Sequence, residues 1–170
     1  MVEAFLLLLF PATMAYAASS DLLTMKIPHE LTLGVAIAYI AIALTIKVPA
    51  AVIGLHLACG ALVLAVTFGM FCMGWMGGGD AKLAAATALW FGWSMVLEYL
   101  LLASVLGGAL TLAILFARQF PLPAPLVRHD WIARLHDRKT GIPYGIALAA
   151  AALILYPHTD VWTATLRSAL

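Results

Sequence analysis

AKLAAATALWFGWSMVLEYLLLASVLGGALTLAILFA, residues 81–117, decides the architecture of this chain. After Lys82 the only charged residue before Arg118 is Glu98. As one straight helix the stretch would measure about 55 Å at 1.5 Å per residue, whereas a bilayer's hydrocarbon core is about 30 Å thick. It therefore predicts two helices. The turn is expected around Gly92-Trp93-Ser94, with Glu98 opening the return or sitting at the interface.

The surrounding sequence has the same character. Of the 170 residues 65% are hydrophobic and 10% charged, against roughly 25% charged in a soluble domain. Between Lys47 and Asp80 there is no Asp, Glu, Lys or Arg. A bilayer-spanning helix needs about 20 mostly apolar residues. These features predict an all-α integral membrane protein: one domain over 1–170, a six-transmembrane-helix bundle with spans at about 3–20, 31–46, 50–73, 81–93, 97–117 and 143–157. Pro28 suits a first helical position, where its missing N–H is no loss, and the third span follows Pro49. AFLLLLFPATMAYAAS, residues 4–19, has the apolar core and the Ala15-Tyr16-Ala17 pattern of a cleavable signal peptide. No Lys or Arg precedes that core, however, and the only early charge is Glu3. It is read as the first transmembrane helix.

Basic residues set the expected orientation, because cytoplasmic loops carry an excess of Lys and Arg. Lys26, Lys82, Arg118, Arg128, Arg134, Arg138 and Lys139 fall in alternate loops on one side, and Lys47 and Arg167 on the other. The loops 21–30, 74–82 and 118–142 are thus expected in the cytoplasm and both termini on the outer, periplasmic side. Trp75, Trp90, Trp93 and Trp131 near predicted span ends fit an aromatic belt. Cys59 and Cys72, thirteen residues apart on one predicted helix, point to different faces and read as small buried hydrophobes rather than a disulfide. A formal net charge of +1 gives no basis for a nucleic-acid partner.

Two carboxylates stand out. Asp21 and Asp80 are predicted at the same cytoplasmic depth, at the ends of the first and fourth spans. Ionisable residues at membrane depth are costly and mark functional sites by default. Of the other acids, Glu3, Asp160 and Glu98 map to the outside and Asp130 and Asp137 to the polar loop. Glu30 favours the positive end of the second helix. Two carboxylates brought together titrate as a pair, so one can take a proton from water while the other protonates a carbonyl or leaving amine. Gly77, Gly78 and Gly79 immediately precede Asp80. Glycine admits close backbone approach, which an extended peptide beside a dyad needs. The residues alone equally allow a flexible connector with Asp80 capping the fourth helix.

Gly77-Gly78-Gly79-Asp80 matches the G-x-G-D motif of membrane aspartyl proteases. Asp21-Leu-Leu-Thr-Met-Lys-Ile-Pro28 and Ile142-Pro143-Tyr144-Gly145 complete a pattern that resembles the type IV prepilin peptidases across essentially the whole chain. It is most similar to the compact peptidases of tight-adherence (Tad/Flp) pilus systems. The resemblance implies an aspartic endopeptidase of the bacterial inner membrane with Asp21 and Asp80 as its catalytic pair. Gly77 and Gly79 become the motif glycines, with Gly78 in the variable place. The substrate implied is a pilin precursor, a short leader joined to a membrane helix and cut at the cytoplasmic boundary. No metal and no cofactor is implied. The sequence shows neither the cysteine-rich zinc loop nor the extra N-terminal region of bifunctional relatives, so N-methyltransferase activity is not expected.

Lys82 reads as a substrate-binding residue beside the dyad or as a snorkelling anchor, and Lys26 is similar. His56 lies in the third span without a second ligand at i+3 or i+4, and no H-E-x-x-H occurs. Ser19, Ser20, Ser94 and Ser104 lack a partnered His or Lys at matching depth. Gly107-Gly108 reads as a close helix contact. The basic loop 118–142 reads as an element on membrane lipid, or as a lid over the dyad. Two competing functions remain: a preflagellin or other G-x-G-D protease, and a small proton- or cation-coupled transporter or assembly subunit. Transporter carboxylates sit near the midplane at broken helices, whereas these acids are predicted at cytoplasmic ends.

Overall fold

The computed structural model describes residues 2–159, 161–163 and 166, with side chains described from residue 7 onward except at 124. Asp160 and Arg167, which bear on orientation, and the side chain of Glu3 lie outside that description. The described residues form helices and turns: α1 (Val2–Thr24), α2 (His29–Thr45), α3 (Ala50–Cys72), α4 (Gly78–Ala117), α5 (Ala124–Val127), α6 (Asp130–His136) and α7 (Tyr144–Leu155). A 3₁₀ turn over Tyr156–His158 extends α7.

The continuous span of α4 conceals the reversal that its length demands. Gly92 has φ 57° and ψ −170°, a non-helical residue that splits α4 into limbs 78–91 and 93–117. The limbs fold back on each other, so the Phe91 and Tyr99 rings stack at 4.9 Å between centroids. Only glycine fits at the break. Its conformation is strained for an L side chain, and a Cβ there would lie 2.6 Å from two atoms of the His56 ring. That ring fills the space and its Nδ1 lies 2.7 Å from the Leu89 carbonyl oxygen, which the break leaves without its usual helical donor. His56 also stacks on Tyr39 at 5.3 Å. A histidine with no metal-ligand partner in the sequence is thus the cap of a broken helix.

Proline precedes four helices, at 28, 49, 123 and 143. Pro28 is the N-cap, with extended ψ 142°, rather than the first helical residue, so α2 starts at His29, two residues earlier than its pattern predicts. The first limb of α4 is the centre of the bundle, with Ala81 and every residue from Leu83 to Gly92 buried. α2, α3 and α7 all pack on α4, and α7 also packs along α1. Trp90 corrects the belt expectation. It is 1% exposed, packs against Phe10, Tyr39 and Tyr156, and donates its indole N–H to the Val35 carbonyl at 3.1 Å. Trp75 and Trp93 are exposed, as a belt requires.

The outer surface is apolar. α3 buries only Cys59, Gly60, Val63 and Thr67, while Leu55, Leu62, Val66, Phe68 and Phe71 face outward. In water so large an apolar patch is a liability; against lipid it costs nothing. Among the described residues, Ala50–Cys72 and Gly78–Ala117 are long and apolar enough to cross a membrane, and His29–Thr45 and Tyr144–His158 are apolar but shorter. Cys59 is buried, Cys72 is exposed, and both are free thiols.

Candidate active site

Asp21 lies in the last turn of α1, the negative end of a helix and a poor place for an anion. What stabilises it comes from elsewhere. Gly145, in the first turn of α7, donates its backbone N–H to Asp21 Oδ2 at 2.8 Å, so the carboxylate rests on another helix's positive end. A Cβ on Gly145 would sit 2.8 Å from the same oxygen and 2.8 Å from Ile27 Cδ1. Any side chain there would have to push the Asp21 carboxylate or the Ile27 side chain aside.

Asp80 is placed locally. It is the third residue of α4, whose N-cap is Gly77. Its carboxylate takes a hydrogen bond from the Gly77 backbone, the reciprocal half of a capping box. A Cβ on Gly77 would come within 2.9 Å of Asp80 Oδ2. Gly79 solves a different problem: its backbone lies against Ile27, with 3.2 Å from a notional Cβ to Ile27 Cβ. That contact joins the start of α4 to the turn after α1. The turn is built tightly. Met25 has φ 57° and donates its N–H to the Asp21 carbonyl at 2.8 Å, while Ser20 and Thr24 hydroxyls donate to the Lys26 carbonyl. Ser20, a poor candidate nucleophile for want of a partnered base, is a staple of this turn.

The two acids thereby line one pocket of about 700 Å³ with Lys26, His29, Glu30 and the three glycines. Asp21 is 5% exposed and Asp80 half-buried, and the charge of Asp21 acts on Asp80. Two carboxylates in such a pocket do not ionise independently. Lys82 does not line it. It points to the neighbouring groove, with Nζ 3.2 Å from His29 Nδ1. Among the described residues no group of three His, Cys, Asp or Glu side chains gathers as a metal site would require.

The model of the type IV leader peptidase family matches residues 8–112, more than half of the chain. The chain belongs to that family. No curated protein and no solved structure matches it. Leader peptidase membership makes it a protease of the aspartic class in general, embedded in a membrane. The matched region takes in both Asp21 and Asp80 but stops short of Gly145. The positioning residues that sequence reasoning did not assign are Gly145, Ile27 and Arg118. Arg118 is 8% exposed and donates from Nε to the Leu135 carbonyl and from Nη2 to those of Thr140 and Gly141. Counted in the sequence as one more cytoplasmic charge, it holds the segment that leads into α7. Arg134 likewise ties α6 to the end of α1 by donating to the Leu23 carbonyl at 2.7 Å. Gly145 and Ile27 gave a prior signal, within the Ile142–Gly145 and Asp21–Pro28 stretches, and nothing there disclosed their partners.

Proposed function

We propose that this leader peptidase removes the leader of Flp-type (Tad) pilin precursors at the cytoplasmic face of a bacterial inner membrane, with Asp21 and Asp80 as the catalytic dyad. The carrying observation is that both acids line one pocket beside Gly77, Gly78 and Gly79, although they come from different helices. The orientation follows the basic loops, with six spans and both termini outside.

The chemistry needs one carboxylate and one neutral acid. The carboxylate takes a proton from water as its oxygen attacks the scissile carbonyl carbon, and the neutral acid gives its proton to the carbonyl oxygen. The tetrahedral diol then collapses. The C–N bond breaks, the leaving nitrogen gains a proton, and the products are a leader carboxyl and a free amine on the membrane helix. General acid–base steps of this kind contribute typically 10²–10⁴-fold each. The glycines leave clearance for an extended substrate backbone, while Lys82, turned into the neighbouring groove, takes no part.

The test is co-expression with a single-span Flp-type precursor, scoring leader removal on a gel. Asp21→Asn and Asp80→Asn should each lower the processing rate by at least about a thousandfold, with unchanged insertion in the membrane. Native-rate processing by either variant overturns the dyad.

A further inference from the structure

Two apolar grooves of similar size flank the first limb of α4. One, of about 550 Å³, lies between α2, α3 and that limb, with His29, Glu30 and Lys82 at its mouth. The other, of about 500 Å³, lies between α3, both limbs of α4 and α7. Neither Asp21 nor Asp80 lines the first. Asp80 lines the second, and it also lines the polar pocket.

We propose that the second groove is where the substrate's apolar membrane helix docks, its leader crossing at Asp80 into the polar pocket; this rests on the leader-peptidase reading. The polarity of the two compartments changes at Asp80. On one side the pocket holds Asp21, Glu30 and Asp80 against Lys26, an excess of acid suited to a basic leader. On the other side the groove's three hydroxyls are already engaged: Ser104 Oγ donates to the Leu100 carbonyl at 2.7 Å, Thr67 Oγ1 to the Val63 carbonyl at 2.7 Å, and the Tyr144 hydroxyl pairs with Thr111 Oγ1 at 3.0 Å. Apart from the exposed Trp75 indole, such a wall asks for no polar partner, which suits an occupant that is apolar up to the acid. Its floor along the second limb, from Leu100 through Ser104 to Gly108, is one helix face. It runs about 12 Å, roughly two turns of a docked helix. Small residues there let a second backbone approach closely. Gly108 has open space where a Cβ would project. A substrate whose polarity switches at the scissile bond fits a site whose polarity switches at Asp80.

A photo-crosslinking phenylalanine analogue placed at Ser104 or Gly108 of the Asp21→Asn chain, in membranes with the single-span precursor, tests this directly. The contrast position is Ala61, in the first groove. The expected result is precursor crosslinking at 104 and 108 at least tenfold above that at 61. Crosslinking mainly at 61, to lipid alone, or nowhere overturns the docking site. A second measurement uses the active chain. Gly108→Leu, whose Cβ would enter open space, projects into the groove and should cut precursor processing at least tenfold, while Ala61→Leu stays within twofold. Equal effects overturn the assignment. If the active chain leaves the precursor uncut, the leader-peptidase substrate reading fails, whereas the crosslink still scores docking by itself.

Discussion

Asp21 and Asp80 reach the same pocket by opposite routes. Asp80 sits in the first turn of its own helix, where the positive end and the Gly77 backbone receive it without help from a distant residue. Asp21 sits in the last turn of α1, where its own helix opposes a negative charge, and its support is the Gly145 N–H of α7. One acid is a local feature. The other is a tertiary one. A site built this way depends on α7 docking against α1 before its second carboxylate is in place.

The contrast between the acids breaks most visibly at Gly145. In Gly145→Ala the new methyl would meet both Asp21 Oδ2 and Ile27 Cδ1 at 2.8 Å. A displacement of about 1 Å in a reacting group can lower turnover on the order of 100-fold, and that loss is expected in the gel assay with little change in folded protein. A native rate in this variant would show that Asp21 does not need its cross-bundle support. Gly77→Ala presents a milder conflict, because only the end of the Asp80 side chain lies in the way and φ −71° suits alanine. Turnover should fall roughly tenfold, about 1.4 kcal/mol of barrier. If Gly77→Ala proves worse than Gly145→Ala, the local support of Asp80 matters more to turnover than the cross-bundle support of Asp21.

Arg118→Ala sharpens the contrast from a distance. Three backbone carbonyls around 135–141 lose their donor, at about 1–3 kcal/mol where such groups stay buried. Thermal unfolding in detergent should shift down accordingly. Processing should drop several-fold through Asp21, because the segment entering α7 loosens while the cap of α4 is untouched. The smallest effect belongs to Gly78→Ala. Its methyl's nearest neighbours would be atoms of the Phe71 ring, from 3.2 Å, and that ring is 45% exposed. Processing within about twofold of native is expected, in line with the ±0.5 kcal/mol of an ordinary surface change.

The reversal inside residues 81–117 was legible in advance because length alone forbids one helix across a bilayer, and glycine at 92 marked where the chain turns. What filled the turn was not legible. His56 is 33 residues from Leu89, and nothing in periodicity pairs them. Trp90 was misplaced for a related reason: distance from a span end says nothing about whether a ring faces lipid or the core, and here it faces the core. Gly107 matched its expected role as a close contact, with its notional Cβ 3.1 Å from the Tyr144 ring, whereas Gly108 beside it faces an open groove. Two adjacent glycines look alike in sequence and differ because a helix turns about 100° between them.

By itself, the sequence determined the apolar, helical character of this chain and the break near Gly92, since composition and length act without long-range contacts; Asp80, read as a possible cap of the fourth helix, is instead its third residue behind the Gly77 cap. Only the tertiary structure decided that Asp21 shares Asp80's pocket, that Gly145 rather than a nearby residue supports it, and that Asp80 joins a polar pocket to an apolar groove. Those facts depend on contacts between residues far apart in the chain, which local patterns do not encode. Gly79 against Ile27 and Gly145 against Asp21 are two such contacts, and at each a missing Cβ lets the glycine backbone pack tightly on a distant element.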